Sequence, residues 1–216
     1  MFKKILIANR GEIAVRVIRT CREMGIKTVA IFSEADRTSP HVLKAHEAYC
    51  VGPPPSSRSY LNIEKILEII KNTGADAVHP GYGFLSENSD FSKLISKMGA
   101  VWIGPPSSII TTMGDKMAAR RLAEKVGAPV IPGTTEPLKD LQTAKKTADK
   151  IGYPILIKAA GGGGGKGMRI INSYSELSNA MERAKSEADK AFSDDRIYME
   201  KYLDEPHHIE IQVFAD

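Results

Sequence analysis

Five short, largely apolar segments without in/out alternation, set between amphipathic stretches, organise the first hundred or so residues. They are "ILIA" (5–8), "TVAIF" (28–32), "AYCV" (48–51), "ADAVH" (75–79) and "VWIG" (101–104). A strand with no in/out alternation is covered on both faces, as in a parallel sheet with helices on each side. Between the first two segments, Ile13, Ala14, Val17, Ile18, Cys21 and Met24 recur at helical spacing, and Gly25 follows where a helix would end. The pattern predicts a doubly wound α/β layer over about the first 105 residues.

In an open parallel sheet, ligands collect beyond the carboxyl ends of the strands. The turns there are "ANRGE" (8–12), "SEADR" (33–37) and "HPGYGFLSEN" (79–88). Ordinary turn chemistry explains the first two as well as function does. The third is long, rigid and aromatic, with Pro80, Gly81, Tyr82, Gly83 and Phe84 where roughly two to six polar residues would connect the elements. A binding role is favoured for it.

The composition shifts to Pro, Ser and Thr in "GPPSSIITTMGDK" (104–116), which reads as a link between domains 1–112 and 113–216. Beyond it the pattern predicts a helix over "DKMAARRLAEKVG", a strand and turn at "APVIPG", and a helix over 138–151. A second helix is expected over 175–191, with strands over 196–203 and 207–216.

The most unusual stretch is "ILIKAAGGGGGKGMRIIN" (155–172). A phosphate-binding P-loop needs G-x-x-x-x-G-K-[ST] followed by a helix, but here Ala160 stands for the first glycine, Gly167 for the hydroxyl residue, and a strand follows. A dinucleotide fingerprint is matched only trivially by a run of glycines. What remains is a β-hairpin whose loop, Gly161, Gly162, Gly163, Gly164, Gly165, Lys166 and Gly167, is far longer than a tight turn. Such a loop is expected to act as a lid whose bare backbone N–H groups approach a polyanion, with Lys166 adding positive charge.

Lys158 alone interrupts the apolar strand "ILIKAA", and a lysine is seldom buried without an anionic partner. Lys116, in "MGDK", is less specific by itself. In "HIEIQV", His208, Glu210 and Gln212 alternate with Ile209, Ile211 and Val213, so three polar groups share one strand face. "YMEKYL" carries Glu200 and Lys201 just before a turn, where backbone could read an adenine edge.

Charge and composition exclude several classes. Thirty basic against 26 acidic residues give a net charge of +4, too mild and too evenly spread for a nucleic-acid surface. No apolar run reaches membrane-spanning length and the opening apolar run is too short for a signal peptide, so the expected location is cytoplasmic, with no membrane partner. Cys21 and Cys50 are the only cysteines; Cys21 falls on the apolar stripe, which points to core packing. No Cys/His metal cluster appears in the sequence.

Taken in order, "KILIANRGEIAVRVIR", "HPGYGFLSEN", "MGDK", "YPILIKAAGGGGGKGMRI" and "EKYLDEPHHIEIQV" resemble the N-terminal half of the biotin carboxylase family, across the whole chain. The family includes the biotin carboxylase subunit of acetyl-CoA carboxylase, which serves fatty acid biosynthesis, and the matching parts of pyruvate and propionyl-CoA carboxylases. The resemblance implies a Rossmann-like domain over 1–112, followed by the first part, the lid, of an ATP-grasp module. It implies ATP-dependent carboxylation of biotin, carried on a biotin carboxyl carrier, by bicarbonate through carboxyphosphate, with Mg2+ or Mn2+ accompanying the ATP. By motif, Lys116 and Lys158 would contact the phosphates and the 161–167 loop would cover them. Met168 would lie near the adenine, Glu200, Lys201 and Leu203 would form the adenine hinge, and His208 would reach the ribose or phosphates. A carboxyltransferase subunit or domain and a homodimer of the full-length protein are the implied partners.

One departure is His207, where the family usually has an arginine. The family's metal-binding glutamates, bicarbonate-holding residues and biotin-proximal residues are expected beyond Asp216, so no metal ligand or catalytic residue is assigned within this chain. Two other readings are a nucleotide-binding fragment without turnover and a different ATP-grasp ligase, such as a carbamoyl phosphate synthetase.

Overall fold

The structure is a computed structural model that describes residues 1–160, 168–209 and 211. The chain divides into two compact units, Met1–Gly114 and Asp115–Asp216.

In the first unit, β1 (Lys4–Ile7), β2 (Lys27–Ser33), β3 (Glu47–Gly52), β4 (Ala77–His79) and β5 (Val101–Trp102) form one parallel sheet in the order β3-β2-β1-β4-β5. The connecting helices are α1 (Gly11–Glu23), α2 (Pro40–Lys44), α3 (Ile63–Thr73) and α4 (Ser89–Lys97), with α5 (Ser107–Gly114) after the last strand. Both sheet faces are covered. Leu6, Val29 and Val78 pack with Ile66 and Ile70 of α3 and Phe91 and Ile95 of α4. Ile5, Ile7 and Ala77 pack on the other side with Ala14, Ile18 and Cys21 of α1. This two-sided cover is why the strands read as unbroken apolar runs.

Three expectations for the helices need adjusting. Met24 does not share the buried stripe; it is half exposed at the α1 C-cap, and Gly25 takes the left-handed turn beyond it. The Pro- and Ser-rich stretch is not an irregular linker, because it forms α5 from Ser107. Proline there is confined to positions 105 and 106, ahead of the helix, where a missing N–H costs nothing. The predicted helix start at 138 falls at Leu141, with Asp140 accepting from Thr143 N at 2.7 Å as cap, while Leu138 is left for the core.

The second unit contains α6 (Lys116–Lys125), α7 (Leu141–Ile151) and α8 (Tyr174–Phe192), with an antiparallel sheet of β6 (Ile155–Ala159), β7 (Arg169–Ile171) and β8 (Ile197–Lys201) in the order β7-β6-β8. Ile155, Ile157, Ala159, Ile171, Ile197 and Met199 face α7 and α8. Those helices meet the sheet through Ala144 and Ala148, and through Leu177, Met181, Ala184 and Ala188. Small residues four apart let a helix backbone approach closely.

The "APVIPG" segment is not a strand. Pro129 and Pro132 remove two ladder donors, and only Gly133 forms a single bridge, to Glu200. Thr134 N does donate to Met199 O at 2.8 Å, and Lys201 N to Pro132 O at 2.7 Å, so the segment straps the end of β8 without extending the sheet. Residues 207–209 carry no regular structure, so the predicted strand over 207–216 does not begin there; Glu210 and Gln212 lie outside the described residues.

Candidate functional site

At the carboxyl end of the parallel sheet, the three turns singled out in the sequence are joined by side chains. Asn9, only 3% exposed, donates from Nδ2 to the carbonyls of Pro80 and Tyr82, both at 2.8 Å, and Tyr82 donates to Glu12 at 3.2 Å. The fit requires glycine at 81: its φ is +65°, and a Cβ there would sit 2.8 Å from Asn9 Nδ2.

Arg10 reaches Asp36 with Nη1 at 3.1 and 3.2 Å, and its guanidinium lies 5.5 Å from the Tyr60 ring centroid and 5.9 Å from that of Phe84. Asp36 also accepts from Ser33 Oγ at 2.8 Å and from Tyr60 at 2.6 Å. Burial alone would raise its pKa, but the Tyr60, Ser33 and Arg10 donors outweigh that and hold the carboxyl below its ordinary range. Burial, then the hydrogen bond to Asp36, pushes the Tyr60 hydroxyl up to about 12.

The second unit holds the polar cluster that the sequence pointed to. In the β6–β8 ladder Lys158 stands opposite Tyr198 and Leu156 opposite Glu200, so all four share the sheet face turned away from α7 and α8. On that face Lys158 Nζ donates to Glu200 Oε1, with side chains 24% and 10% exposed.

α6 borders the same face. Its N-cap, Asp115, accepts from the backbone N–H groups of Met117 (3.0 Å) and Ala118 (2.8 Å), which fixes the first turn. Met117 then packs with Ala160 and Tyr198. This brings Lys116 within electrostatic reach of Lys158 and Glu200. Burial first, and then the Lys158 ammonium, lower the Lys116 pKa, while Glu200 acts in the opposite direction. The Tyr198 hydroxyl rises to about 12 through burial and then the Glu200 charge.

Of the residues selected from sequence, Lys116, Lys158 and Glu200 are therefore gathered in one cluster. Lys201 points elsewhere: it is on the core-facing register of β8, and its ammonium donates to the carbonyls of Gly152 (3.0 Å) and Tyr153 (2.9 Å). Only its backbone is available to a hinge role. Leu203 follows β8 and is half exposed, and Met168, also half exposed, precedes β7. His208 lies exposed in the irregular stretch after β8. Gly161, Gly162, Gly163, Gly164, Gly165, Lys166 and Gly167 lie outside the described residues; the flanking β6 and β7 pair antiparallel with Ile157 opposite Arg169. Tyr198 was missed, although its i, i+2 spacing with Glu200 in "YME" would have placed it on the same face.

Among the described residues no group of three or more His, Cys, Asp or Glu side chains could hold a metal ion, and no helix is long and apolar enough to cross a membrane. The described residues by themselves do not make up a magnesium site.

A doubly wound parallel unit followed by an antiparallel sheet with a lysine-bearing face defines an ATP-grasp type of protein. Comparison with known proteins narrows this. Residues 1–110 match the family described as biotin carboxylase, N-terminal domain, and residues 115–216 match the carbamoyl-phosphate synthase L chain, ATP binding domain. The chain is 52% identical to a biotin carboxylase of Haemophilus influenzae over the whole of its own length and 48% of that protein. Among solved structures, a biotin carboxylase–βγ-ATP complex from Campylobacter jejuni superposes with a TM-score of 0.89 at 46% identity, covering 95% of this chain and 46% of that one. The biotin carboxylase domain dimer of Hydrogenobacter thermophilus 2-oxoglutarate carboxylase, solved with MgADP, ADP and bicarbonate, gives 0.86 at 48% identity, covering 94% and 45%. The chain belongs to the biotin carboxylase family. It spans about half the length of the biotin carboxylases it matches.

Proposed function

We propose that the chain is the N-terminal part of a biotin carboxylase, with 1–112 as the Rossmann-like domain and 113–216 as the first part of the ATP-grasp domain. The reaction of the whole protein is ATP-dependent carboxylation of biotin on a carrier protein or domain. In it a bicarbonate oxygen attacks the γ-phosphorus of ATP, ADP leaves, and the carboxyphosphate so formed delivers its carboxyl group to biotin N1 as its C–O bond to phosphate breaks, the departing phosphate taking up the N1 proton. Carrier and carboxyltransferase partners, a homodimer and a cytoplasmic location belong to the same reading.

The observation that carries this reading is the gathering of Lys116, Lys158 and Glu200 on one face of β6 and β8. Two ammonium groups against one carboxylate leave net positive charge at a partly dry surface, where a polyphosphate is stabilised more strongly than in water. Lys116 and Lys158 bind the phosphates, and the glycine loop covers them with backbone N–H donors. Met168 supplies an apolar contact to the adenine, the backbone from Glu200 to Leu203 reads its edge, and His208 serves the ribose side. Positioning and charge stabilisation dominate phosphoryl transfer, so these groups act without forming covalent bonds to substrate. Magnesium, or manganese, would accompany the nucleotide and share in neutralising its phosphates.

A second reading, that the 216 residues by themselves bind nucleotide without turnover, is favoured by the absence of a metal-holding carboxylate group among the described residues. A carbamoyl phosphate synthetase-like ligase shares the second domain type, but the biotin carboxylase match over 1–110 argues against it. The test is ADP release by the full-length protein, with bicarbonate and biotin omitted in turn. Release that needs both supports the proposal, and release indifferent to biotin rejects it.

A further inference from the structure

A carboxylate beside two phosphate-binding lysines is at first sight misplaced, because it repels the ligand the lysines attract. Glu200 is nevertheless 8% exposed on that face, diagonal to Lys158 across the β6–β8 ladder and ion-paired with it. Its backbone is held on a rigid support. Gly133 bridges to it, and the next residue is fixed by Lys201 N to Pro132 O at 2.7 Å and by Lys201 Nζ to the Gly152 and Tyr153 carbonyls. An isosteric neutral side chain would fill the same space.

We infer that the Glu200 carboxylate is a positioning residue for the lysine pair: it aims Lys158 along the sheet face and offsets the charge that Lys158 presents to Lys116. The inference rests on the proposed nucleotide site and assigns to the Glu200 side chain a task distinct from the backbone hinge. Two like charges brought together out of water oppose each other, and the cheapest relief is loss of one proton or a swing of one side chain away. A carboxylate ion-paired with Lys158 offsets that repulsion and still leaves a net positive cluster for an anion. The described charged and titratable groups on this face and at its border are Lys116 and Arg120 on α6, its N-cap Asp115, Arg196 ahead of β8, which pairs with Asp115, Lys158 on β6, and Tyr198 and Glu200 on β8. Lys116 already has its pKa lowered by burial and Lys158, with Glu200 opposing, so removing Glu200 moves it further down.

The test uses the full-length protein and the variants Glu200→Gln and Glu200→Asp. The titration of Lys116 is followed by its side-chain carbon resonance without nucleotide, assigned by Lys116→Arg, and ATP affinity is measured by calorimetry across alkaline pH. In Glu200→Gln, Lys116 is expected to titrate at lower pH, and the alkaline loss of ATP affinity moves the same way. ATP binding there weakens by roughly tenfold or more. Glu200→Asp, which keeps the charge, restores most of both. An unchanged Lys116 titration in a folded Glu200→Gln protein, even with a lowered melting temperature, overturns the inference and leaves Glu200 a structural ion pair. If instead the Lys116 titration moves but ATP binding is indifferent to the removal of either lysine, the nucleotide-site reading fails while the charge coupling stands.

Discussion

Asp36 shows how a single residue can knit the ligand-facing edge of the parallel sheet. It receives Arg10, Ser33 and Tyr60, and through Arg10 it fixes a cation beside two stacked aromatic rings. Asp36→Asn keeps the shape but weakens all three interactions, and a loss of about 1–2 kcal/mol is expected at neutral pH. The folded pKa is depressed, so the stabilisation is present above the unfolded carboxyl pKa and is lost as pH falls through the folded one. Thermal melts of the two proteins should therefore differ most near neutrality and converge below about pH 4. A constant gap down to strongly acid pH would contradict this. Little of it was legible in "SEADR": Ser33 lies within that stretch, but Arg10 and Tyr60 come from two other turns and only the fold brings them together. Lys158 was legible, since one charge in an apolar strand demands a partner, but that the partner is Glu200 needed the β6–β8 register.

Among elements, those that follow from periodicity were read closely, and those that depend on one backbone donor were not. The parallel strands and α1 declare themselves by being buried on two faces or along one stripe. The segment at 128–133 has the apolar content of a strand but not its donors, and it becomes a strap against β8. The strap depends on Gly133, because a Cβ there would stand 2.6 Å from Met199 O and 3.0 Å from Glu200 Cα, both backbone atoms that cannot step aside cheaply. Gly133→Ala is expected to cost about 1–3 kcal/mol and to weaken nucleotide binding by disturbing residues 200–201. The outcome is read from denaturant melts and calorimetry of the full-length protein, and a neutral Gly133→Ala would show that the strap is not a support for the site.

At the scale of the whole molecule, the chain combines two compact units of different architecture, one parallel and helix-covered on both faces, the other antiparallel with helices on one face. In the sequence the link between the two is the shift to Pro, Ser and Thr over 104–116, and the antiparallel pattern of the second unit is announced by two apolar runs flanking the glycines at 161–167. The lysine cluster was visible only as separate candidates, forty or so residues apart, whose meeting follows from the β6–β8 pairing and the docking of Met117 on Tyr198.

In the proposed function this cluster holds the phosphates of ATP. The most direct test is the calorimetric dissociation constant for ATP of the full-length protein beside its Lys158→Met variant, with folding of both checked by circular dichroism. Loss of one of two clustered phosphate-facing charges should weaken binding by at least about tenfold. An unchanged dissociation constant in a folded Lys158→Met protein would place the nucleotide elsewhere and contradict the claim.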